Sequence, residues 1–277
     1  MRTTTMRFLL LAASLAAAAP GQAFAKLKVV ATLPSLAALA QEVGGDLVEV
    51  EALAAPTEDP HYVDPRPNLV LKLNRADLLV ANGLELEIGW LPPLQAQARN
   101  GDVMAGGKGF LDASMFVERQ EIPGGKIDRA MGDIHPGGNP HYLFDPRAGA
   151  RVAQAIADRM AALDPDHAGS YAGRAAVLVA SLQGFARSEA ARFRALPDAQ
   201  RQVVTYHKSF TYLLDWLGLK EVATVEPRPG IPTDPGHVAA VLSTLRSTST
   251  RVILQEEYYP RSTSETLGRL APARVVV

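Results

Sequence analysis

Six histidines and no cysteine are present among the 277 residues, so a transition-metal site in this chain must use imidazole or oxygen ligands. Three of these histidines lie where a loop meets a regular element. His61 lies in the proline-framed segment 58–65, His141 lies in the similar segment 138–146, and His207 follows an apolar, strand-like run. Prolines on either side of a histidine restrict the loop backbone. We therefore select His61, His141 and His207 as candidate metal ligands.

The three candidates are far apart in the sequence, with 80 residues from His61 to His141 and 66 from His141 to His207. No local chelating motif of the H-E-x-x-H kind is present, so only the fold can bring these side chains together. Each histidine taken alone is weak support for a metal site, because histidine also fills cores and surfaces. In open α/β sheets, ligands bind beyond the carboxyl ends of the strands, and His207 lies at such an end.

Strand and helix patterns alternate along the chain and indicate an α/β fold with mostly parallel sheets flanked by helices. Apolar runs at 28–32 and 77–82 predict buried strands, and a helix is predicted from Ser35 as its N-cap. A long helical stretch at 164–196 predicts a rigid link between two lobes. We accordingly divide the chain into a first lobe at 26–163, the connecting helix at 164–196 and a second lobe at 197–277.

The first 25 residues have the features of a cleaved signal peptide. Arg2 and Arg7 precede an apolar run at 8–19, which is too short to span a bilayer, and Ala23 to Ala25 form an A-x-A cleavage signal. A retained anchor helix is the alternative. We expect a mature protein that begins at Lys26 and is released into a periplasm-like compartment.

Because acidic and basic residues nearly balance, nucleic acid is not expected as a partner.

Several motifs lie in a fixed order along the chain from about residue 27 to its last residue. They are Asp59-Pro60-His61 followed by Pro65 and Pro67, Asn82-Gly83-Leu84 before Trp90, Gly138-Asn139-Pro140-His141 followed by Asp145-Pro146, Tyr206-His207 followed by Phe210 and Tyr212, Glu226-Pro227, and Val252 to Glu256. In this combination the chain resembles the zinc/manganese solute-binding proteins of bacterial ABC importers.

The resemblance implies two α/β lobes joined by one long helix, with one metal ion in the cleft held by His61, His141 and His207. In manganese-preferring relatives the third position tends to be a carboxylate. Here it is His207, and because neutral imidazole suits zinc whereas manganese favours oxygen, we expect zinc rather than manganese. The implied function is a monomeric periplasmic binding protein, not an enzyme, that delivers zinc to an ABC permease in the inner membrane. A periplasmic metallochaperone is a further partner class.

A fourth ligand is missing from this assignment, since zinc prefers four. In many relatives it is an aspartate in a second-lobe loop, and alignment on Gln255 places that residue just past Val277. We therefore expect the chain to be truncated at its C-terminus. The alternative ligands within the chain are Glu58, Asp59, Glu256 and Glu257.

The other histidines are expected to lie outside the site. Zinc-specific relatives carry a mobile histidine-rich loop before the second ligand, which is proposed to capture or hand over metal. This chain has only His135 there, and we predict a solvated loop residue, with a part in metal capture as the alternative. His167 and His237 are predicted to be exposed. Asp64 and Asp145, each before a proline, are predicted helix caps, with a hydrogen bond to a histidine as the alternative.

Two other functions compete with the binding protein. A secreted zinc hydrolase would also use three histidines and an open metal position. It would need a general base and a substrate pocket as well, and no nucleophile motif is present. An adhesive surface protein is the third hypothesis.

Glu256 and Glu257 follow a second-lobe strand, and we predict an ordinary polar strand end there.

Overall fold

The computed structural model describes residues 25–125, 132 and 134–277, so nearly all of the predicted signal peptide at 1–25 lies outside the described residues. Two sheets form the framework. The first consists of β1 (Leu27–Ala31), β2 (Val48–Ala52), β3 (Leu78–Ala81) and β4 (Phe110–Asp112), in the spatial order β2-β1-β3-β4. The second consists of β5 (Gln202–Thr205), β6 (Lys220–Thr224), β7 (Val252–Leu254) and β8 (Arg274–Val276), in the order β6-β5-β7-β8.

Every strand pair in both sheets is parallel, and the two sheets have the same strand order. Parallel neighbours need crossover connections, and helices supply them. The first lobe has α1 (Pro34–Gly44), α2 (Pro67–Arg75) and α3 (Leu91–Ala98), and the second has α6 (Thr211–Leu217), α7 (Pro235–Thr248) and α8 (Ser262–Leu270). All four residues of β3 are buried, as expected when helices cover both faces of a sheet.

A helical hairpin joins the lobes. It consists of α4 (Pro146–Leu163) and α5 (Ala168–Arg194), which pack along each other after a short turn. With 27 residues, α5 is about 40 Å long. It contacts α1 of the first lobe and α6 of the second, so one rigid element supports both sheets. The predicted fold class, two parallel α/β lobes joined by a long helix, is confirmed. No helix in the described part of the chain has the length and apolar character needed to cross a membrane.

Local predictions were less accurate at the helix ends. Ser35 is not an N-cap, because α1 already begins at Pro34 and no side chain caps it. Asp64 does not cap α2, which follows Arg66. Asp145 does cap α4: its carboxylate accepts a hydrogen bond of 2.7 Å from the Arg147 N–H. Strand β4, which has only three residues, and helices α4 and α8 were not predicted.

The lobes are joined by polar contacts as well as by the hairpin. The ring of Tyr212, in α6, is buried within the first-lobe core and lies edge-on to Tyr142. Its hydroxyl accepts a hydrogen bond from the Gln120 N–H at 3.0 Å and donates one to the Asn139 carbonyl at 2.9 Å. A second-lobe side chain therefore completes the hydrogen bonding of a buried first-lobe loop.

We expect Tyr212→Phe to lower the free energy of unfolding by about 1–3 kcal/mol, because a partly buried N–H and a buried carbonyl lose their partner. Urea unfolding followed by circular dichroism measures this. As the control, Tyr62→Phe removes a hydroxyl from a ring that is 63% exposed and should cost less than Tyr212→Phe, because water can replace the contacts of an exposed group. Equal effects of the two substitutions would contradict the role of Tyr212.

Candidate metal centre

The three predicted ligands lie together between the lobes. One ligand atom from each of His61, His141 and His207 lies within 4.8 Å of the others, and all three residues are buried. The ring centroids form a nearly equilateral triangle with sides of 5.2, 5.5 and 5.7 Å. Histidines separated by 80 and 66 residues in the chain are thus brought together by the fold. Three nitrogens bound tetrahedrally to one zinc ion would be about 3.4 Å apart, so small side-chain movements suffice for binding.

Strand ends and stiff loops place these side chains. His207 follows β5, an inner strand of the second sheet. His61 and His141 lie in loops that first-lobe residues hold by hydrogen bonds to the preceding proline carbonyls. The indole N–H of Trp90 donates to the Pro60 carbonyl at 2.9 Å, and the Asn82 side chain donates to the Pro140 carbonyl at 3.0 Å.

The loops of His61 and His141 share an Asx-Pro-His turn. The Asp59 carboxylate accepts hydrogen bonds from the His61 backbone N–H at 3.0 Å and from Nδ1 at 2.7 Å. The Asn139 amide oxygen does the same for His141, at 3.0 Å from the backbone N–H and 2.9 Å from Nδ1. An Asx residue two positions earlier thus fixes both the backbone turn and the ring.

The orientation of the Asn139 amide follows from its other contacts. Its Nδ2 lies 2.7 Å from the Lys208 carbonyl and 2.9 Å from the Glu121 carboxylate, and both of these groups accept hydrogen bonds. The amide oxygen must therefore face His141. Because Lys208 follows His207 directly, Asn139 links the histidine of one lobe to the chain segment of the other.

His207 has a carboxylate partner from a neighbouring strand. Its Nδ1 lies 2.7 Å from the Glu226 carboxylate, and both side chains are buried. Glu226 follows β6, which pairs with β5, and its backbone N–H donates to the Tyr206 carbonyl. The Glu226 carboxylate also accepts from the Gly230 N–H at 3.1 Å. Strand pairing therefore sets the position of this acceptor.

Nδ1 of each of the three histidines faces a hydrogen-bond acceptor, so all three imidazoles have the same tautomer. Nδ1 carries the proton, and the Nε2 lone pair is left to bind another group. The Nε2 atoms of His61 and His141 are buried and have no hydrogen-bond partner among the described residues. Buried nitrogens of this kind are rare unless they have a ligand role. The donor set therefore fits a divalent transition-metal ion bound through three neutral imidazoles.

Burial and mutual repulsion affect the charges of the site. The pKa of His141 lies well below its usual value, first because burial disfavours the imidazolium and then because charge on His61, His207 and His135 would repel it. Burial alone would raise the pKa of Asp59, but hydrogen bonds and charge from His61 outweigh it and the pKa is lowered. Both shifts favour the neutral His141 and ionised Asp59 that metal binding requires.

The carboxylates considered as a fourth ligand are placed differently. Asp59 is engaged with His61, Glu58 with the backbone N–H of Ala55, and Glu257 with Arg261. Glu256 is only 6% exposed, and neither of its oxygens has a hydrogen-bond partner in the described part of the chain. Burial raises its pKa. The prediction of an ordinary polar strand end at Glu256 is therefore wrong, because the residue is buried near His207.

The remaining histidines are less exposed than predicted. The His135 ring centroid lies 5.4 Å from that of His61 and 6.4 Å from that of His141, so His135 faces the cluster and is not a solvated loop residue. His167 contacts the Asp164 carboxylate at 2.8 Å. Nε2 of His237 lies 2.9 Å from the Thr224 carbonyl. Neither His167 nor His237 belongs to the three-histidine group.

The hydrogen-bond acceptors of the three histidines are Asp59, Asn139 and Glu226. They differ from Asp64 and Asp145, for which a hydrogen bond to a histidine was the alternative to the predicted helix cap. The repeated Asx-Pro-His pattern is a local signal for the first two. Glu226 lies 19 residues from His207, and only the pairing of β5 with β6 brings it there.

Comparison with known proteins gives a consistent result. Residues 29–277 match the family described as zinc-uptake complex component A, periplasmic. The chain is 27% identical over 229 residues to the metal ABC transporter substrate-binding lipoprotein SsaB of Streptococcus sanguinis, covering 80% of this chain and 70% of that protein. It is 26% identical to the manganese ABC transporter substrate-binding lipoprotein PsaA of Streptococcus pneumoniae, covering 88% and 76%. The iron ABC transporter substrate-binding lipoprotein MtsA of Streptococcus pyogenes serotype M1 is 25% identical with the same coverage.

Solved structures share the fold. A crystal structure of ZnuA superimposes with a TM-score of 0.76 and 23% identity, covering 91% of this chain and 90% of that one. A manganese-bound periplasmic metal-binding protein from candidatus liberibacter asiaticus has a TM-score of 0.72 and 20% identity, covering 90% and 87%. At these identities the likeness concerns the fold.

We expect the metal-free protein to lose stability as the pH falls below about 6.5. His141 takes up a proton there in the unfolded chain but not in the folded one, so protons favour unfolding, with a slope of up to about 1.4 kcal/mol per pH unit for one such group. Urea unfolding in the presence of a chelator, from pH 7.5 to 5.5, measures the slope. His141→Gln should reduce it, and an unchanged slope in this variant would contradict the assignment.

Proposed function

We propose that this chain binds one zinc ion for delivery to an ABC permease, on the premise that it belongs to the family of periplasmic zinc-uptake components. Members of this family are solute-binding proteins of ABC importers and are not enzymes. The observation that carries the proposal is the convergence of three buried imidazoles, each with its Nδ1 held by an acceptor. His61, His141 and His207 are the proposed ligands.

The choice of zinc rests on the chemistry of the donors. Related proteins are named for manganese and iron as well as zinc, so family membership alone leaves the ion open. Manganese favours oxygen ligands, whereas three neutral imidazoles with one open position suit zinc. The third ligand position is His207. The neighbouring Glu226 carboxylate binds Nδ1 of His207 and does not face the point that the three histidines share.

The division of ligands between the lobes supplies a route for release. His61 and His141 belong to the first lobe and His207 to the second, so a small relative movement of the lobes removes one ligand of three. The long α5 helix and the contact of Tyr212 with the first lobe oppose a wide hinge motion. We propose that docking on the permease provides this small movement, in the periplasm, after cleavage of the signal peptide at 1–25.

Substitution of the ligands tests the assignment. We expect His61→Ala, His141→Ala and His207→Ala each to weaken zinc binding by at least a hundredfold, because zinc loses one of its protein ligands. His167→Ala and His237→Ala should leave zinc affinity within twofold of the original. Competition with a fluorescent chelator measures the affinities, and mass spectrometry of protein taken from its own periplasm identifies the ion. Equal effects of all five substitutions would refute the ligand set, and manganese in the native protein would refute the choice of zinc.

The hydrogen-bond acceptors can be tested separately from the ligands. Glu226→Ala should weaken zinc binding by about 10–100-fold, since His207 loses the partner that fixes its tautomer. Glu226→Gln keeps an oxygen acceptor and should weaken binding less. Glu257→Ala, which removes an exposed carboxylate paired with Arg261, is the matched control and should have no effect. If Glu226→Ala also bound zinc normally, tautomer control by Glu226 would be disproved.

A further inference from the structure

A cationic groove lies on the helical hairpin, outside the metal centre. It has a volume of about 680 Å³ and is bordered by the first half of α4, the second half of α5 and Trp216 of α6. Four arginines line it, namely Arg147, Arg151, Arg187 and Arg194. None of the described residues that line the groove is acidic. This concentration of positive charge contrasts with the net charge of −1 of the whole chain.

Three of these arginines have no carboxylate partner in the described part of the chain. Arg147 pairs with Asp145 and Asp215, but Arg151, Arg187 and Arg194 are exposed and form no salt bridge with any described residue. Arginines this close together repel one another unless an anion or solvent compensates them. The groove can therefore bind additional negatively charged groups.

The arginines follow the two walls of the groove. Arg147 and Arg151 are one helical turn apart on α4, about 6 Å, and Arg187 and Arg194 are two turns apart on α5, about 10 Å. A small anion needs donors that converge on one point. Donors spaced by helical turns along two ridges instead match carboxylates spaced along a peptide chain.

The floor of the groove is apolar. Small side chains of the hairpin, including Ala150, Ala186 and Ala190, form it together with the Trp216 ring. The Trp216 N–H is satisfied by the Ala186 carbonyl at 2.9 Å, so the ring presents carbon surface to the groove. Phe185, which is 52% exposed and is not itself a lining residue, packs against Trp216 with the two ring centroids 5.9 Å apart. Apolar floor and charged walls together fit an amphipathic segment.

We propose that this groove docks an acidic amphipathic helix of a partner protein. Its carboxylates pair with Arg151, Arg187 and Arg194, and its apolar side chains cover the floor around Trp216. Because the groove is bordered by α4 of the first lobe and α6 of the second, the docked helix lies across the junction of the lobes. This inference is independent of which ion the cleft holds.

A synthetic helix tests the proposal on the full mature protein. The probe is a fluorescein-labelled peptide of about 15 residues, with leucine at every third or fourth position and glutamate elsewhere. We expect saturable binding by fluorescence anisotropy that weakens as salt is added. The double variant Arg151→Glu with Arg187→Glu should weaken binding at least tenfold. The matched double variant Arg75→Glu with Arg269→Glu, two exposed arginines outside the groove, should change it less than twofold.

The outcomes separate this inference from the proposed function. Unchanged circular dichroism and zinc content in both double variants would show that folding and the metal site are intact. Equal binding of a peptide with lysine in place of glutamate would overturn the proposal, as would an undiminished affinity of the groove variant or the absence of peptide binding. If inorganic phosphate displaced the peptide more strongly than chloride does at the same ionic strength, that result would overturn the helix-docking proposal and indicate a small-anion site instead. A protein that binds the peptide but not zinc would refute only the proposed function.

Discussion

The convergence of three buried imidazoles between the lobes is the constraint on which the rest of the structure depends. Imidazoles that are brought this close cannot all be protonated, and burial lowers the pKa of His141 further. The rings also need a fixed tautomer, since a rotated ring would present an N–H to the centre. Asp59, Asn139 and Glu226 supply that control through Nδ1. The loops and strand ends around the site are arranged so that each acceptor meets its own histidine.

The same acceptors connect the centre to the frame. Asn139 contacts His141 through its oxygen and the Lys208 carbonyl through its nitrogen, while its own carbonyl accepts from Tyr212. A movement between the lobes must therefore break buried hydrogen bonds as well as separate His207 from the other two histidines. Buried polar networks of this kind favour one arrangement, because each unsatisfied member costs free energy. The metal centre and the lobe junction are thus one mechanical unit.

The sequence revealed those parts of the molecule that depend on local pattern. Apolar runs predicted β3 and β5 because a buried parallel strand is apolar on both faces, and proline-framed loops distinguished His61 and His141. Helix ends were less predictable, since α1 begins at Pro34 without any capping side chain. Contacts that depend on strand order could not be predicted at all. Glu226 reaches His207 only because β6 pairs with β5, and Glu256 is buried because β7 lies on the other side of β5.

Two of the three Nδ1 acceptors, Asp59 and Glu226, are carboxylates, and the third, Asn139, is an amide. A divalent ion bound to neutral imidazoles would compensate the negative charge of these carboxylates. A third carboxylate in place of Asn139 would leave the loaded site with an excess negative charge in a medium of low dielectric constant. Burial raises the pKa of Glu256, which lowers its tendency to add that charge. When the ion leaves, burial and the closeness of the other imidazoles keep His141 neutral, so its Nε2 lone pair stays available for the next ion.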